Sequence, residues 1–121
     1  MNERELIERY NDAWNAHDLD AIASMHATDI VFHNYSANER AEGADAVREH
    51  IAQIFRNNPD LQFRGRRLYA RDGLVVNEWT ATATRDGKTV EWDGIDVFPI
   101  EDGKIKRKDV YSGAGVARAV T

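Results

Sequence analysis

The sequence has no cysteine. That excludes disulfides, thiolate metal ligands and cysteine nucleophiles together. Proline is also scarce: Pro59 and Pro99 stand forty residues apart, and no Pro/Gly/Ser-rich linker, internal repeat or low-complexity tract occurs. No apolar run approaches the roughly 18 residues that a membrane span needs. The stretch Met1-Asn-Glu-Arg-Glu5 is too charged for a secretory signal, so the expected compartment is cytoplasmic, with no membrane partner. Basic charge is in deficit, with 16 Lys+Arg against 21 Asp+Glu and a net charge of −5. Nucleic-acid binders carry a basic face, so no nucleic-acid partner is expected. The four histidines show no metal-ligand spacing, and no Gly-rich phosphate loop or Gly-x-Ser-x-Gly elbow is present. No metal and no cofactor are expected.

What remains is 121 residues with 42% hydrophobic and 31% charged residues, enough for one core and therefore one domain over 1–121. Asn2 with Glu5 reads as a helix cap, and Leu6, Tyr10 and Trp14 recur at i+4 with Ile7 and Ala13 beside them. Asp18 caps a second, shorter helix with Leu19, Ile22, Ala23 and Met25 as its apolar positions. Asp29 ends it, and Ile30 to Tyr35 reads as a short strand. Gly43 precedes a third helix carrying Val47, Ile51, Ile54 and Phe55, which Asn57-Asn58-Pro59 stops.

Everything after Pro59 alternates. Segments 61–71, 74–84, 89–100 and 105–112 are separated by Asp72-Gly73, Asp86-Gly87 and Asp102-Gly103, which predicts an antiparallel meander. Helices first and strands afterwards is an α+β order. The expected fold is a cone-shaped, curved antiparallel sheet wrapped around three N-terminal helices, a cystatin-like α+β barrel with a conical cavity.

Four polar residues break apolar patterns. Tyr10 lies on the first helical stripe, where a core tyrosine bonded to backbone is the plain alternative to a functional role. His50 shares a face with Val47 and Ile54 and could equally be a satisfied core histidine. Asp96 shares parity with Trp92, Gly94, Phe98 and Ile100; a buried carboxylate there must be protonated or paired, with Lys108 the obvious partner. Asn34 shares parity with Ile30 and Phe32 and either satisfies backbone or marks the strand's end.

The run Tyr10-Asn-Asp-Ala-Trp-Asn-Ala-His-Asp-Leu-Asp-Ala-Ile resembles the first helices of the nuclear-transport-factor-2-like superfamily. The likeness continues through Gly43-x-x-x-Val-Arg-Glu and Ile95-Asp-Val-Phe to Asp102-Gly-Lys-Ile. That superfamily includes ketosteroid isomerases, SnoaL-like polyketide cyclases and limonene-epoxide hydrolases, one scaffold hosting many chemistries. The ketosteroid isomerases are most similar over the first half. The resemblance implies that Tyr10 and a neutral Asp96 form an oxyanion hole, as the helix tyrosine and protonated aspartate of those isomerases do. The family's aspartate base falls on Asn34, which would orient substrate or water, so the implied proton carrier is His50, or His33 if the strand slips by one. Of the epoxide hydrolases' water-activating set only Asn34 survives, which rejects standard epoxide hydrolysis.

By the same resemblance Trp14, Trp79, Trp92, Lys108 and His33 would contact substrate, and three large rings suit a flat, partly apolar ligand. The implied function is a cofactor-independent isomerase, cyclase or dehydratase-type (lyase) enzyme acting on a carbonyl compound. The alternative is a non-catalytic small-ligand-binding or dimerising domain. A homodimer is expected through the sheet's outer face, where Glu78, Thr80, Thr82, Thr84 and Tyr111 would lie.

Overall fold

The first two helices start on the capping side chains that the sequence offers for them. In the computed structural model, which describes residues 1–120, helix α1 (Glu3–Asn15) is capped by Asn2, whose side chain accepts from the Glu5 N–H. Leu6, Ile7, Tyr10, Ala13 and Trp14 form its single buried stripe. Helix α2 (Leu19–Ser24) is capped by Asp18, which accepts from the Ala21 N–H. Helix α3 (Ala44–Asn57) follows Gly43, whose φ of +89° few other residues would adopt. It buries Val47, Ile51 and Phe55.

The strands are β1 (His26–Asn34), β2 (Glu39–Glu42), β3 (Gln62–Arg71), β4 (Leu74–Arg85), β5 (Lys88–Glu101), β6 (Lys104–Ser112) and a short β7 (Arg118–Ala119). Strands β3 to β6 form the expected meander through two-residue Asp-Gly turns. In two of these turns both residues have positive φ, Asp86 with Gly87 and Asp102 with Gly103; both φ values match a type I′ turn.

Two expectations are corrected. Helix α2 ends at Ser24, not at Asp29, and β1 begins at His26. The sheet is mixed rather than wholly antiparallel: its order is β2-β1-β6-β5-β4-β3, with β7 on β5, and β1 runs parallel to β6. The reason is topological. After β1 the chain crosses over through α3 and the meander before β6 returns beside it, and a parallel pair needs such a long crossover. Strand β2, the 3-10 turn at Ala114–Val116 and β7 are short pieces that carry no periodicity for a reader to find.

The interior position of β5 makes Pro99 notable, since proline cannot donate to a ladder. It sits where the β5–β6 register shifts, between Val97 and Ile100. Helix α1 packs on β3 and β4, and α3 on β1 and β2. The helices therefore rest on opposite ends of one open sheet, and the space between them is the interior.

Candidate functional site

The centre of the site is a buried ion pair. Asp96 on β5 and Lys108 on β6 lie diagonally across adjacent strands, both on the inner face. Lys108 Nζ donates to Asp96 Oδ2 at 3.0 Å, and the residues are only 4% and 6% exposed. Four rings surround the ammonium, with centroids at 4.7 Å for Trp14, 5.0 Å for Phe98, 5.4 Å for Tyr10 and 5.7 Å for Phe32. Aromatic faces attract a cation and replace part of its lost hydration. Burial pushes the Asp96 carboxyl above its usual range and the Lys108 amine below its own, while each partner's charge opposes the other's shift. Of the two arrangements open to Asp96, the geometry is the pairing with Lys108.

Two chambers meet at this pair. The larger, about 230 Å³, opens toward α3 and the ends of β1 and β6; Phe32, Asn34, His50, Trp92 and Val110 line it. The smaller, about 150 Å³, lies between α1 and β3–β4 and is polar, with Asn11, Asp12, Asn15 and Asn77 on its walls. Trp14, Phe63, Trp79, Asp96 and Lys108 border both. The rings of Phe63 and Trp79 stand edge to face at 4.9 Å, as do Phe63 and Trp14 at 5.8 Å.

Within this wall three buried polar atoms, Asp96 Oδ1, Trp79 Nε1 and Trp14 Nε1, lack a hydrogen bond of good geometry among the described residues, but the Trp79 N–H faces the Asp96 carboxyl closely enough to favour its charged form. Buried polar groups are almost always satisfied. The Asp96 carboxylate and the Trp79 indole N–H are thus an acceptor and a donor set against each other at the cavity wall, where a ligand can reach them.

Trp79 is held in place by an absence. It pairs across the strands with Gly94, and a Cβ on Gly94 would overlap Cη2 and Cζ2 of the indole and lie 2.7 Å from Cζ3. Only glycine leaves room for the ring at that position.

The other expected residues are distributed unevenly. Trp14, Trp79 and Trp92 all face the interior, and His50 is half-buried at the larger chamber, its ring 4.9 Å from Phe32. Asn34 also borders this chamber, but its side-chain oxygen accepts from the Ala37 N–H at 3.2 Å and so closes the turn after β1. Tyr10 is 1% exposed and borders neither chamber. Its hydroxyl shares a 2.8 Å hydrogen bond with His26 Nε2, not with Asp96. Burial holds the hydroxyl protonated far above its usual range. Burial, helped by the Lys108 charge, pulls His26 down to about 4. His33 does not join the site: it points to the outer face, opposite in parity to Phe32 and Asn34, and stacks at 3.7 Å on Tyr35, which stacks in turn on Tyr111.

Two interior polar residues escaped the sequence reading. Asn77 is buried on β4 between Val75 and Trp79, and the same parity test that flagged Asp96 would have found it. His26 was hidden because its segment reads as helix.

The comparisons agree with this fold. The model of the SnoaL-like domain family matches residues 7–108. Among solved structures, a candidate SnoaL-like polyketide cyclase from Jannaschia sp. CCS1 superposes with a TM-score of 0.84 at 19% identity, over 93% of this chain and 85% of that one. A candidate ketosteroid isomerase from Kribbella flavida gives 0.80 at 19% identity, over 90% and 76%. An uncharacterised cystatin-fold protein from Novosphingobium aromaticivorans gives 0.80 at 23% identity, over 91% and 97%. At these identities the structures share a fold and nothing finer is carried over from them. No curated protein matches the chain. Since the family model spans most of its length, the protein belongs to the SnoaL-like domain family.

Proposed function

We propose that this protein is a cofactor-independent enzyme that moves protons on a flat, largely apolar carbonyl compound, in the isomerase, cyclase or dehydratase class. The observation that carries this reading is the Asp96–Lys108 pair, which borders an aromatic cavity with Asp96 Oδ1 not engaged by Lys108 and the Trp79 N–H facing the carboxyl. In it the carbonyl group of the ligand lies at Lys108, and Asp96 Oδ1 takes a proton from the adjacent carbon. The negative charge that develops on the oxygen is met by the lysine and the Trp79 N–H at a largely aromatic wall, where such interactions are stronger than in bulk water.

This distribution of roles differs from the one the family resemblance implies. Tyr10 is committed to His26, so its part is to help hold Lys108 rather than to meet the ligand. Asn34, where those isomerases have their base, contributes an amide. His50 stands at the larger chamber, placed to exchange protons between Asp96's product and solvent.

The commitment of Tyr10 to His26 and of one Asp96 oxygen to Lys108 also favours a second reading, a domain that binds such compounds without turnover. One experiment separates the two. 2-Tetralone, a flat ketone with exchangeable protons beside its carbonyl, is incubated in D2O and followed by proton NMR. The enzyme reading expects the protein to accelerate deuterium uptake and Asp96→Asn to abolish the acceleration. Binding without acceleration would leave the binding domain.

A further inference from the structure

Lys108 is one of four lysines in the chain, and the other three, Lys88, Lys104 and Lys106, sit at or near strand ends with at least part of the side chain in water. Lys108 alone is enclosed, bordering both chambers with its Nζ against a carboxylate that can take a proton from it. An enclosed lysine beside a proton acceptor has what an amine nucleophile needs, because desolvation favours the uncharged amine and its lone pair is then free to attack. We propose that Lys108 is a nucleophile that joins the carbonyl carbon of its ligand as an imine. The inference deepens the proposed carbonyl chemistry and rests on it.

The step balances within the residues present. A proton passes 3.0 Å from the Lys108 ammonium to Asp96, giving a neutral amine beside a neutral carboxylic acid. The direction in which burial shifts both groups assists this exchange. The Nζ lone pair adds to the carbonyl carbon and the C=O π pair moves to oxygen. A proton then moves from nitrogen to oxygen, giving a carbinolamine. Asp96 returns its proton to the hydroxyl, which leaves as water while the nitrogen lone pair closes the C=N bond. The result is a protonated imine beside an Asp96 carboxylate.

That product suits its surroundings. The positive charge stays on the same nitrogen, within the ring of Trp14, Phe98, Tyr10 and Phe32 that already faces the ammonium. The regenerated carboxylate lies beside it with Oδ1 not engaged by the lysine nitrogen, positioned to take the proton from the carbon next to the C=N bond. An iminium acidifies that carbon more than a hydrogen-bonded ketone does.

The test traps the imine. The whole protein is incubated with 2-naphthaldehyde and sodium cyanoborohydride, which reduces an imine to a stable secondary amine, and the adducts are mapped by peptide mass spectrometry. Labelling at Lys108 is expected to exceed that at Lys88, Lys104, Lys106 and the α-amino group by roughly tenfold or more. Lys108→Arg, which keeps a cation beside Asp96 but cannot form an imine, loses this label and retains the slow background at the exposed amines. Labelling in proportion to exposure, with Lys108 unmodified, overturns the proposal. The 2-tetralone exchange run in parallel keeps the two claims apart. Asp96-dependent exchange without a Lys108 adduct removes the imine and leaves the acid–base reading; neither signal removes both.

Discussion

Removing Lys108 alone should destabilise the protein far more than removing Lys108 and Asp96 together. At 3.0 Å the Coulomb attraction between unit charges is about 5 to 6 kcal/mol for an effective dielectric near 20. Against it stands the loss of hydration of two ions that are each more than nine-tenths buried, several kcal/mol apiece. The two terms nearly cancel, so the pair adds little net stability. Lys108→Met keeps most of the side-chain volume but strands a carboxyl in an aromatic wall, and breaking such a pair costs about 3 to 5 kcal/mol. Because the stranded carboxyl can take up a proton, the deficit should shrink as the pH falls toward the range where the unfolded aspartate also protonates. The double variant Lys108→Met/Asp96→Leu removes both charges and should lie within about 1 kcal/mol of the parent or exceed it by up to about 4. Urea unfolding followed by tryptophan fluorescence measures all three proteins. A single variant that loses under about 1 kcal/mol, the value of a surface pair, would refute the reasoning. So would a double variant as unstable as the single one.

The acid sensitivity of the fold should trace in part to His26. Its folded-state value of about 4 lies below the usual 6.5, so the unfolded chain binds this proton first. The stability it contributes is complete above pH 6.5 and is lost as the pH falls toward 4, roughly 3 kcal/mol in all. His26→Gln should flatten that part of the stability-versus-pH curve, and parallel curves for parent and variant would contradict the assignment. Gly94→Ala should displace the Trp79 ring and lose about 1 to 3 kcal/mol by overpacking, less up to about 1 kcal/mol regained because alanine restricts the unfolded chain. The near-ultraviolet circular dichroism of Trp79 should change with it; an unchanged spectrum and unchanged stability would mean the wall is not built on Gly94.

How much of this was legible depends on how local each signal is. The meander was readable because each Asp-Gly pair is a turn signal needing only its own residues, and Asp86-Gly87 and Asp102-Gly103 adopt the positive φ values that signal implies. The N-caps Asn2 and Asp18 were readable for the same reason. The start of β1 was not: Ala21 to Ala27 is rich in helix formers, and His26 becomes a strand residue through its parallel pairing with Ile105, 79 residues away. Asp96 stood out because a charge on an apolar row is costly wherever the row packs, and parity alone nominated Lys108 as its partner. The partner of Tyr10 could not be found that way. It depends on where β1 begins, and a strand misread as helix hid His26 along with the hydrogen bond that occupies Tyr10. His33 failed as a site residue because the register of β1 against β6 holds from Val31 to Asn34, which fixes it on the outer face.

The central claim is that Asp96 and Lys108 are the groups that meet a carbonyl ligand. A crystal structure with 2-tetralone bound tests it most directly. The account predicts the ketone in the aromatic cavity, its carbonyl group within bonding reach of Lys108 Nζ and the neighbouring carbon facing Asp96 Oδ1. A ketone seated on the outer face, or in the cavity with its carbonyl turned toward His50 and Asn34 and away from the pair, would contradict it.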